Sequence, residues 1–161
     1  MTVHLERLRL DHAAALLAFE RENRAYFART VADRGDAYFT DFAARHAALL
    51  AEQQAGICHF HVVLDAEGTL VGRVNLMDAD AGSAELGYRV GERFTGRGVA
   101  RAAVAQVCLL AAGEYGLSTL TARAALDNRA SRRVLLGSGF VAVAATEVGG
   151  RPGMRFERRL P

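Results

Sequence analysis

A glycine-rich turn joins the two most regular segments of the chain. Residues 83–90 alternate apolar and polar side chains, as a strand does, and residues 99–110 place apolar side chains at helical spacing. Between them lies the segment GERFTGRGVAR, residues 91–101. Closely spaced glycines ahead of a helix let several backbone N–H groups point the same way, at the positive end of the helix dipole. The sequence therefore predicts a strand, an anion-binding turn and a helix in succession.

Two nucleotide-binding motifs can be tested against this turn. A dinucleotide-binding GxGxxG motif needs a third glycine where Arg101 stands, and its strand comes early in a parallel βαβ unit. A Walker loop needs a lysine, but all 20 basic residues of this chain are arginine. Both motifs are excluded. The absence of lysine also excludes a Schiff-base mechanism.

The rest of the chain reads as alternating strands and helices. A helix follows Asp11, a second spans residues 37–53, and a short one covers 128–136, whereas 22–36 gives no clear pattern. Residues 57–90 predict an antiparallel meander with turns at 65–68 and 78–82. The predicted strands are residues 3–10, 57–65, 69–77, 83–90, 117–126, 140–148 and 154–160.

Length and composition limit the class of protein. With 161 residues and 17.3 kDa, the chain suits a single domain over residues 1–161. A net charge of +2 with scattered arginines gives no nucleic-acid stripe, and no apolar run is long enough to span a membrane. Neither a signal peptide nor a CxxC pair is visible, since Cys58 and Cys108 stand far apart. We expect a cytoplasmic protein without membrane or nucleic-acid partners.

Two motifs at matching spacing resemble one enzyme family. Arg93-x-x-Gly96-x-Gly98 resembles the acetyl-CoA signature of the GNAT N-acetyltransferase superfamily. Residues 128–140, with Asn128 and Ser131 leading, resemble its second landmark, and the pair is most similar to the RimJ/RimL branch of ribosomal-protein N-terminal acetyltransferases. The resemblance implies an α/β (α+β) GNAT fold with a mixed, mostly antiparallel seven-stranded sheet flanked by helices. Strands four and five would splay apart, with acetyl-CoA bound between them.

The resemblance also implies which residues hold acetyl-CoA. The backbone of Val90 would bond the pantetheine arm, the turn amides would bind the pyrophosphate, and Asn128 and Ser131 would lie near the amide arm and the sulfur. For Arg97 and Arg101, which could contact the CoA phosphates, a solvated position is an equal alternative. Asn128 and Ser131 could be ordinary helix-capping residues. The cofactor-binding residues implied are Val90, Arg93, Gly96, Arg97, Gly98, Val99, Ala100, Arg101, Asn128 and Ser131.

The resemblance identifies the catalytic groups less clearly than the residues that hold acetyl-CoA. Many GNAT enzymes carry a tyrosine, which protonates the leaving thiolate, where this chain has Leu135. Ser131, Tyr88 or water could replace it. Because an amine must lose a proton before it attacks a thioester, a base is also expected. Glu85 on the central strand is the first candidate, although it could form an ion pair with Arg89, and Glu147 is the second.

Three further features favour ordinary structural roles. His59 and His61 share a strand face, as a metal pair would, but without a third ligand a polar sheet face is the better interpretation, and no metal is expected. Cys108 falls on the buried side of a helix.

Acidic residues near the first helices could attract a cationic acceptor, although a solvated face explains them as well; they are Glu20, Glu22, Asp33, Asp36 and Asp41.

The predicted activity is acetyl-CoA-dependent acetylation of a primary amine, which could be a peptide or protein N-terminus. A small amine such as an antibiotic or amino acid is an alternative acceptor. A non-catalytic acyl-CoA-binding domain is an alternative of a different class, since Leu135 removes the familiar acid. The protein could act as a monomer or a homodimer.

Overall fold

Seven strands form one sheet in the computed structural model, which describes residues 1–161. The strands lie in the order β1-β2-β3-β4-β5-β7-β6. Every neighbouring pair is antiparallel except β4 and β5, which are parallel, as the sequence predicted. The bounds are β1 Val3–Arg7, β2 His59–Asp65, β3 Leu70–Asp80, β4 Ser83–Val90, β5 Thr119–Ala125, β6 Val141–Val148 and β7 Arg151–Arg159.

The helices flank this sheet. They are α1 Ala13–Glu22, α2 Arg24–Phe27, α3 Asp36–Thr40, α4 Phe42–Gln54, α5 Val99–Gly113 and α6 Arg129–Gly137, with 3-10 turns at Leu10–His12 and Glu92–Phe94. None of them has both the length and the apolar character needed to cross a membrane.

Two predicted elements differ from the structure near the N-terminus. The first strand ends at Arg7 rather than at residue 10, because a 3-10 turn closes there with the His12 N–H donating to the Arg9 carbonyl at 3.2 Å. The helix predicted over 37–53 is two helices, since Asp41 leaves helical dihedral angles. At that break the rings of Tyr38 and Phe42 pack edge to face.

Each face of the sheet carries its own apolar core. On one face α5 and α6 cover buried residues of the central strands, including Val74 and Leu120. On the other, α1 to α4 cover a smaller cluster around Phe60 and Val62. At roughly 25 cal/mol per Å² of buried apolar surface, such packing rather than helix propensity holds the helices in place. The same packing fixes the N-terminus of α5 at the end of β4.

The sheet opens between its two parallel strands. β4 and β5 pair only from Ser83–Glu85 to Thr119–Thr121. Beyond that point β4 continues on β3 and β5 continues on β7, so the two strands diverge. The predicted splay is confirmed, and the gap that it leaves is bounded by the beginnings of α5 and α6.

Candidate active site

A cleft of about 440 Å³ fills the gap between the diverging strands. The end of β4, the glycine-rich turn, the first turns of α5 and α6, and α2 with the residues after it form its walls. It brings together most of the residues predicted to hold acetyl-CoA, namely Val90, Gly96, Gly98, Val99, Ala100, Arg101, Asn128 and Ser131.

The N-terminus of α5 presents free N–H donors to this cleft. Gly98, the N-cap, lies in the left-handed region at φ 77°, and no side chain caps the helix. The first amide bonded to the start of the helix is that of Ala102, which donates to the Gly98 carbonyl at 3.0 Å. The N–H groups of residues 99–101 therefore have no protein acceptor. A side chain at Gly98 would meet no protein atom within 4 Å, so the space beside these donors is open.

Val90 offers a second set of backbone groups. The Gly91 N–H donates to the Val71 carbonyl on β3 at 2.9 Å. Because successive residues of a strand point their amides to opposite sides, the N–H and C=O of Val90 point away from β3. They face the gap, where β5 has already diverged.

Tyr88 and Ser131 form a hydroxyl pair on the cleft wall. Their side-chain oxygens lie 2.8 Å apart, and the Tyr88 hydroxyl also donates to the Ser131 carbonyl at 3.3 Å. Burial raises the pKa of Tyr88 above its ordinary value, so the phenol stays protonated at neutral pH. Leu135, one turn further along α6, is buried in the core. The structure thus places next to each other Ser131 and Tyr88, two of the three proton donors that sequence analysis considered for the leaving thiolate.

Asn128 caps α6. Its side-chain oxygen accepts the Ser131 N–H at 3.3 Å, which confirms the N-cap interpretation. Asn128 also lines the cleft, with an amide nitrogen that no protein acceptor occupies. The capping role and a ligand-binding role are therefore compatible.

The predicted arginines separate into two groups. Arg101 lines the cleft and lies against α6, where a Cβ on Gly137 would come within 2.8 Å of its guanidinium. Arg93 does not line the cleft, and its Nε pairs with Glu22 at 3.1 Å. Arg97 is exposed on the turn and also lies outside the lining.

Neither carboxylate predicted as a base lines the cleft. Glu85 accepts from Arg123 of β5 at 3.1 Å. The ion pair with Arg89 considered from the sequence is wrong, because Arg89 donates to Glu20 instead. Glu147 is exposed on β6, opposite Pro152.

The far wall of the cleft comes from residues that sequence reasoning missed. Tyr26 and Phe27 of α2, together with Thr30 and Val31, line it beside Arg89. They belong to the stretch for which the sequence gave no regular pattern. The adjacent aromatic pair was the available signal, because aromatic side chains carry large apolar surfaces that dominate cores and binding surfaces.

Four of the five acidic residues near the first helices are already paired with arginines, whereas Asp41 is exposed. Arg24 binds both Asp33 and Asp36 at 2.8 Å, and its hydrogen bond lowers the pKa of Asp33 to about 2. The solvated face expected from the sequence is wrong for Glu20, which is 1% exposed. Its carboxylate is surrounded by the guanidinium groups of Arg34, Arg73 and Arg89.

The histidine pair lies in a packed region away from the cleft. His61 donates from Nδ1 to the Val74 carbonyl at 3.0 Å and its Nε2 accepts from the Tyr115 hydroxyl. The His59 ring stacks on Tyr115, with centroids 3.8 Å apart. Both histidines are buried, so the polar sheet face that they share is closed to solvent. Cys108 is buried on α5, as predicted.

Comparison with known proteins gives a consistent match. A family model described as the acetyltransferase (GNAT) domain matches residues 2–141. No curated protein matches the sequence. Ribosomal-protein-S5-alanine acetyltransferase from Vibrio fischeri is 18% identical, with a TM-score of 0.88 over 99% of this chain and 94% of that one. RimJ from Mycobacterium smegmatis, in complex with CoA-disulfide, is 24% identical, with a TM-score of 0.87 over 98% and 81%.

A third solved structure shares the same fold. Spermidine N-acetyltransferase from Vibrio cholerae, in complex with CoA and spermine, is 17% identical. Its TM-score is 0.82 over 98% of this chain and 95% of that one. At these identities, the structural likeness establishes the architecture.

Proposed function

This chain belongs to the acetyltransferase (GNAT) domain family, and we propose from that premise that it transfers an acetyl group from acetyl-CoA to a primary amine. One observation carries the proposal. The uncapped N-terminus of α5 opens into a cleft between two diverging strands, and its free N–H groups form an anion site beside the unpaired backbone edge of Val90.

The residues present fit acetyl-CoA. The N–H groups of residues 99–101 and the Arg101 guanidinium would hold the pyrophosphate, where the helix dipole favours negative charge. The backbone of Val90 and the amide of Asn128 would bond the amides of the pantetheine arm. We assign Arg93 and Arg97 to the solvent side of the phosphate site, since both are exposed.

The chemistry needs an uncharged amine and a proton for the leaving thiolate. Acetyl-CoA supplies the acetyl group as an activated thioester. We propose that Ser131, with its hydroxyl bonded to that of Tyr88, donates a proton to the departing sulfur. We propose that Glu85 accepts the amine proton through a water molecule. It is the carboxylate of β4, and its side chain lies on the same face of that strand as Arg89, which lines the cleft.

The acceptor that we favour is a peptide or protein N-terminus. Solved structures similar in fold include RimJ and a ribosomal-protein alanine acetyltransferase. Tyr26 and Phe27 of α2 line the wall of the cleft beside Arg89, and we propose that an extended chain end packs against this wall.

A thiol-release assay with a panel of amines and short peptides tests this function. We expect acetyl-CoA to bind, measured by calorimetry, and free thiol to appear only when an acceptor amine is added. Binding without release for any amine would overturn the proposed reaction and identify a non-catalytic acyl-CoA-binding protein.

A further inference from the structure

Three arginines surround one buried carboxylate beside the acceptor side of the cleft. Glu20 of α1 accepts from Arg73 at 3.0 Å, from Arg34 at 3.2 Å and from Arg89 at 3.1 Å. The Glu20 side chain is 1% exposed, whereas that of Arg89 keeps 20%. We call these four residues the Glu20 cluster.

The Glu20 cluster carries an excess of positive charge. Three guanidinium groups stand against one carboxylate, which leaves two positive charges without an acidic partner. The nearby carboxylates of Asp33 and Asp36 are already bound to Arg24. Burial, followed by the charge of Arg34, lowers the pKa of Arg89 from its ordinary value, as expected for a cation short of counter-charge.

Arg89 is the member of the cluster that reaches the cleft. It lines the cavity, and its guanidinium lies over the ring of Phe27 at 4.6 Å. Only Nη1 is used for Glu20, so its other two nitrogens have no protein acceptor. A guanidinium held over an aromatic ring, with free donors in one plane, is suited to bind a carboxylate.

We propose that the acceptor amine carries a carboxylate and that Arg89 binds this group to position the amine. The inference rests on the proposed acetyl transfer and names its substrate class. The same charge excess disfavours a polyamine, because a second cation would have to lie beside Arg89 without a counter-ion. The carboxylate could be the α-carboxylate of a free amino acid or an acidic side chain near a peptide N-terminus.

Matched acceptors that differ only in this group test the proposal. We would compare L-alanine with L-alaninamide, and alanyl-aspartyl-alaninamide with its asparaginyl counterpart, with spermidine as a third class. We expect the carboxylate member of one pair to have a kcat/KM at least about tenfold higher, equivalent to roughly 1.4 kcal/mol. The pair that responds identifies the source of the carboxylate. Equal values in both pairs, or preference for spermidine, would overturn the proposal.

Variants assign the preference to Arg89. Arg89→Gln should abolish the preference for acceptors with a carboxylate by raising KM for those acceptors. Arg89→Lys keeps the positive charge without the planar guanidinium, so it should reduce the preference. Arg34→Gln is the matched control, because it also removes one guanidinium from Glu20 but lies outside the cleft lining. Loss of the preference in Arg34→Gln, or its survival in Arg89→Gln, would contradict the assignment.

A binding measurement separates this inference from the proposed reaction. N-acetyl-L-alanine and the N-acetylated aspartyl peptide, the two products, are titrated by calorimetry into the CoA-loaded protein and its Arg89→Gln variant. Arg89-dependent binding would support the carboxylate site even if no amine were turned over, an outcome that would overturn the reaction alone. Absence of binding for both products would overturn the carboxylate site.

Discussion

At the scale of single residues, we propose that the hydroxyl pair of Tyr88 and Ser131 takes the role of the tyrosine that many GNAT enzymes carry at the position of Leu135. Ser131→Ala leaves the capping bond intact, because Asn128 accepts from the backbone N–H. We expect kcat to fall about tenfold or more while acetyl-CoA affinity stays constant, since the bond strengthens only as charge grows on sulfur. The Tyr88→Phe and Ser131→Ala effects should not add in the double variant if the two hydroxyls act as a unit. Steady-state kinetics measures kcat, and calorimetry measures acetyl-CoA affinity. An unchanged kcat in Ser131→Ala would show that solvent protonates the leaving thiolate.

Glu85 can be tested as a base apart from its ion pair. If it accepts the amine proton, Glu85→Gln should lower kcat about 10²-fold, keep acetyl-CoA affinity and displace the acidic limb of the pH–rate profile. Arg123→Gln is the control, because it breaks the same ion pair but keeps the carboxylate. If the two variants behave alike, the carboxylate is a structural partner of Arg123 and the amine loses its proton to solvent.

Sequence reasoning succeeded at residues whose roles depend on near neighbours. The left-handed Gly98, the start of α5 and the Asn128 cap are set within a few positions of the chain. The Glu20 cluster could not be predicted, because its partners lie 14, 53 and 69 residues from Glu20. Charge alone made Glu20 look like a surface residue, and only tertiary packing supplies the guanidinium groups that permit its burial.

At the scale of elements, the glycine-rich turn gives a direct test of the phosphate site. In Gly98→Val a branched side chain would occupy the open space beside the free N–H groups and disfavour the positive φ. We expect acetyl-CoA affinity to fall at least about tenfold, or roughly 1.4 kcal/mol, by calorimetry. Gly116→Val is the matched control, since Gly116 has φ 63° with equally open surroundings beyond the far end of α5. Equal affinity losses in the two variants would point to general strain.

The start of α6 combines a cap with a cleft wall, and two substitutions separate these roles. Asn128→Ala should cost about 1 kcal/mol of unfolding free energy through the lost cap and also weaken acetyl-CoA binding. Asn128→Ser keeps a capping oxygen but has no amide donor, so stability should be retained while affinity falls. Urea unfolding and calorimetry measure the two effects. If a stable Asn128→Ser protein keeps its full affinity for acetyl-CoA, Asn128 acts only as a helix cap.

Long periodic elements were predicted well, whereas the two shortest helices, α2 and α3, were not. The 15-residue α5 shows its buried face directly in the sequence. α2 and α3 have four and five residues, too few to display a helical period. The cleft wall around Phe27 was missed for that reason, because it is built where local signals are weakest.

At the scale of the whole molecule, the site depends on the sheet being paired on both outer sides and open in the middle. β4 keeps its partner β3, and β5 keeps β7, while the pair between them separates after Glu85. Each strand therefore retains one hydrogen-bonded edge, which limits the cost of opening the sheet. The apolar packing of α5 then places its positive end at the opening.

His61 links the sheet to the far end of α5 and should make the stability of the whole molecule pH-dependent. Burial lowers the pKa of His61 to about 4 from 6.5, and the pKa of His59 shifts in the same direction for the same main reason. Between pH 6.5 and pH 4 the unfolded chain binds a proton at position 61 that the folded chain does not. Stability is therefore lost as the pH falls through this window.

Comparing unfolding at two pH values isolates this contribution. Between pH 7 and pH 5, His61 should account for a loss of roughly 2 kcal/mol of unfolding free energy. His61→Gln can still donate to the Val74 carbonyl and accept from the Tyr115 hydroxyl. In urea titrations, its free energy of unfolding should fall by about 2 kcal/mol less between pH 7 and pH 5 than that of the unmodified protein. Tyr115→Phe is the control, because it removes the hydrogen bond between the Tyr115 hydroxyl and His61 but keeps the imidazole, so the pH dependence of its stability should persist. An unchanged pH dependence in His61→Gln would show that another group governs acid unfolding.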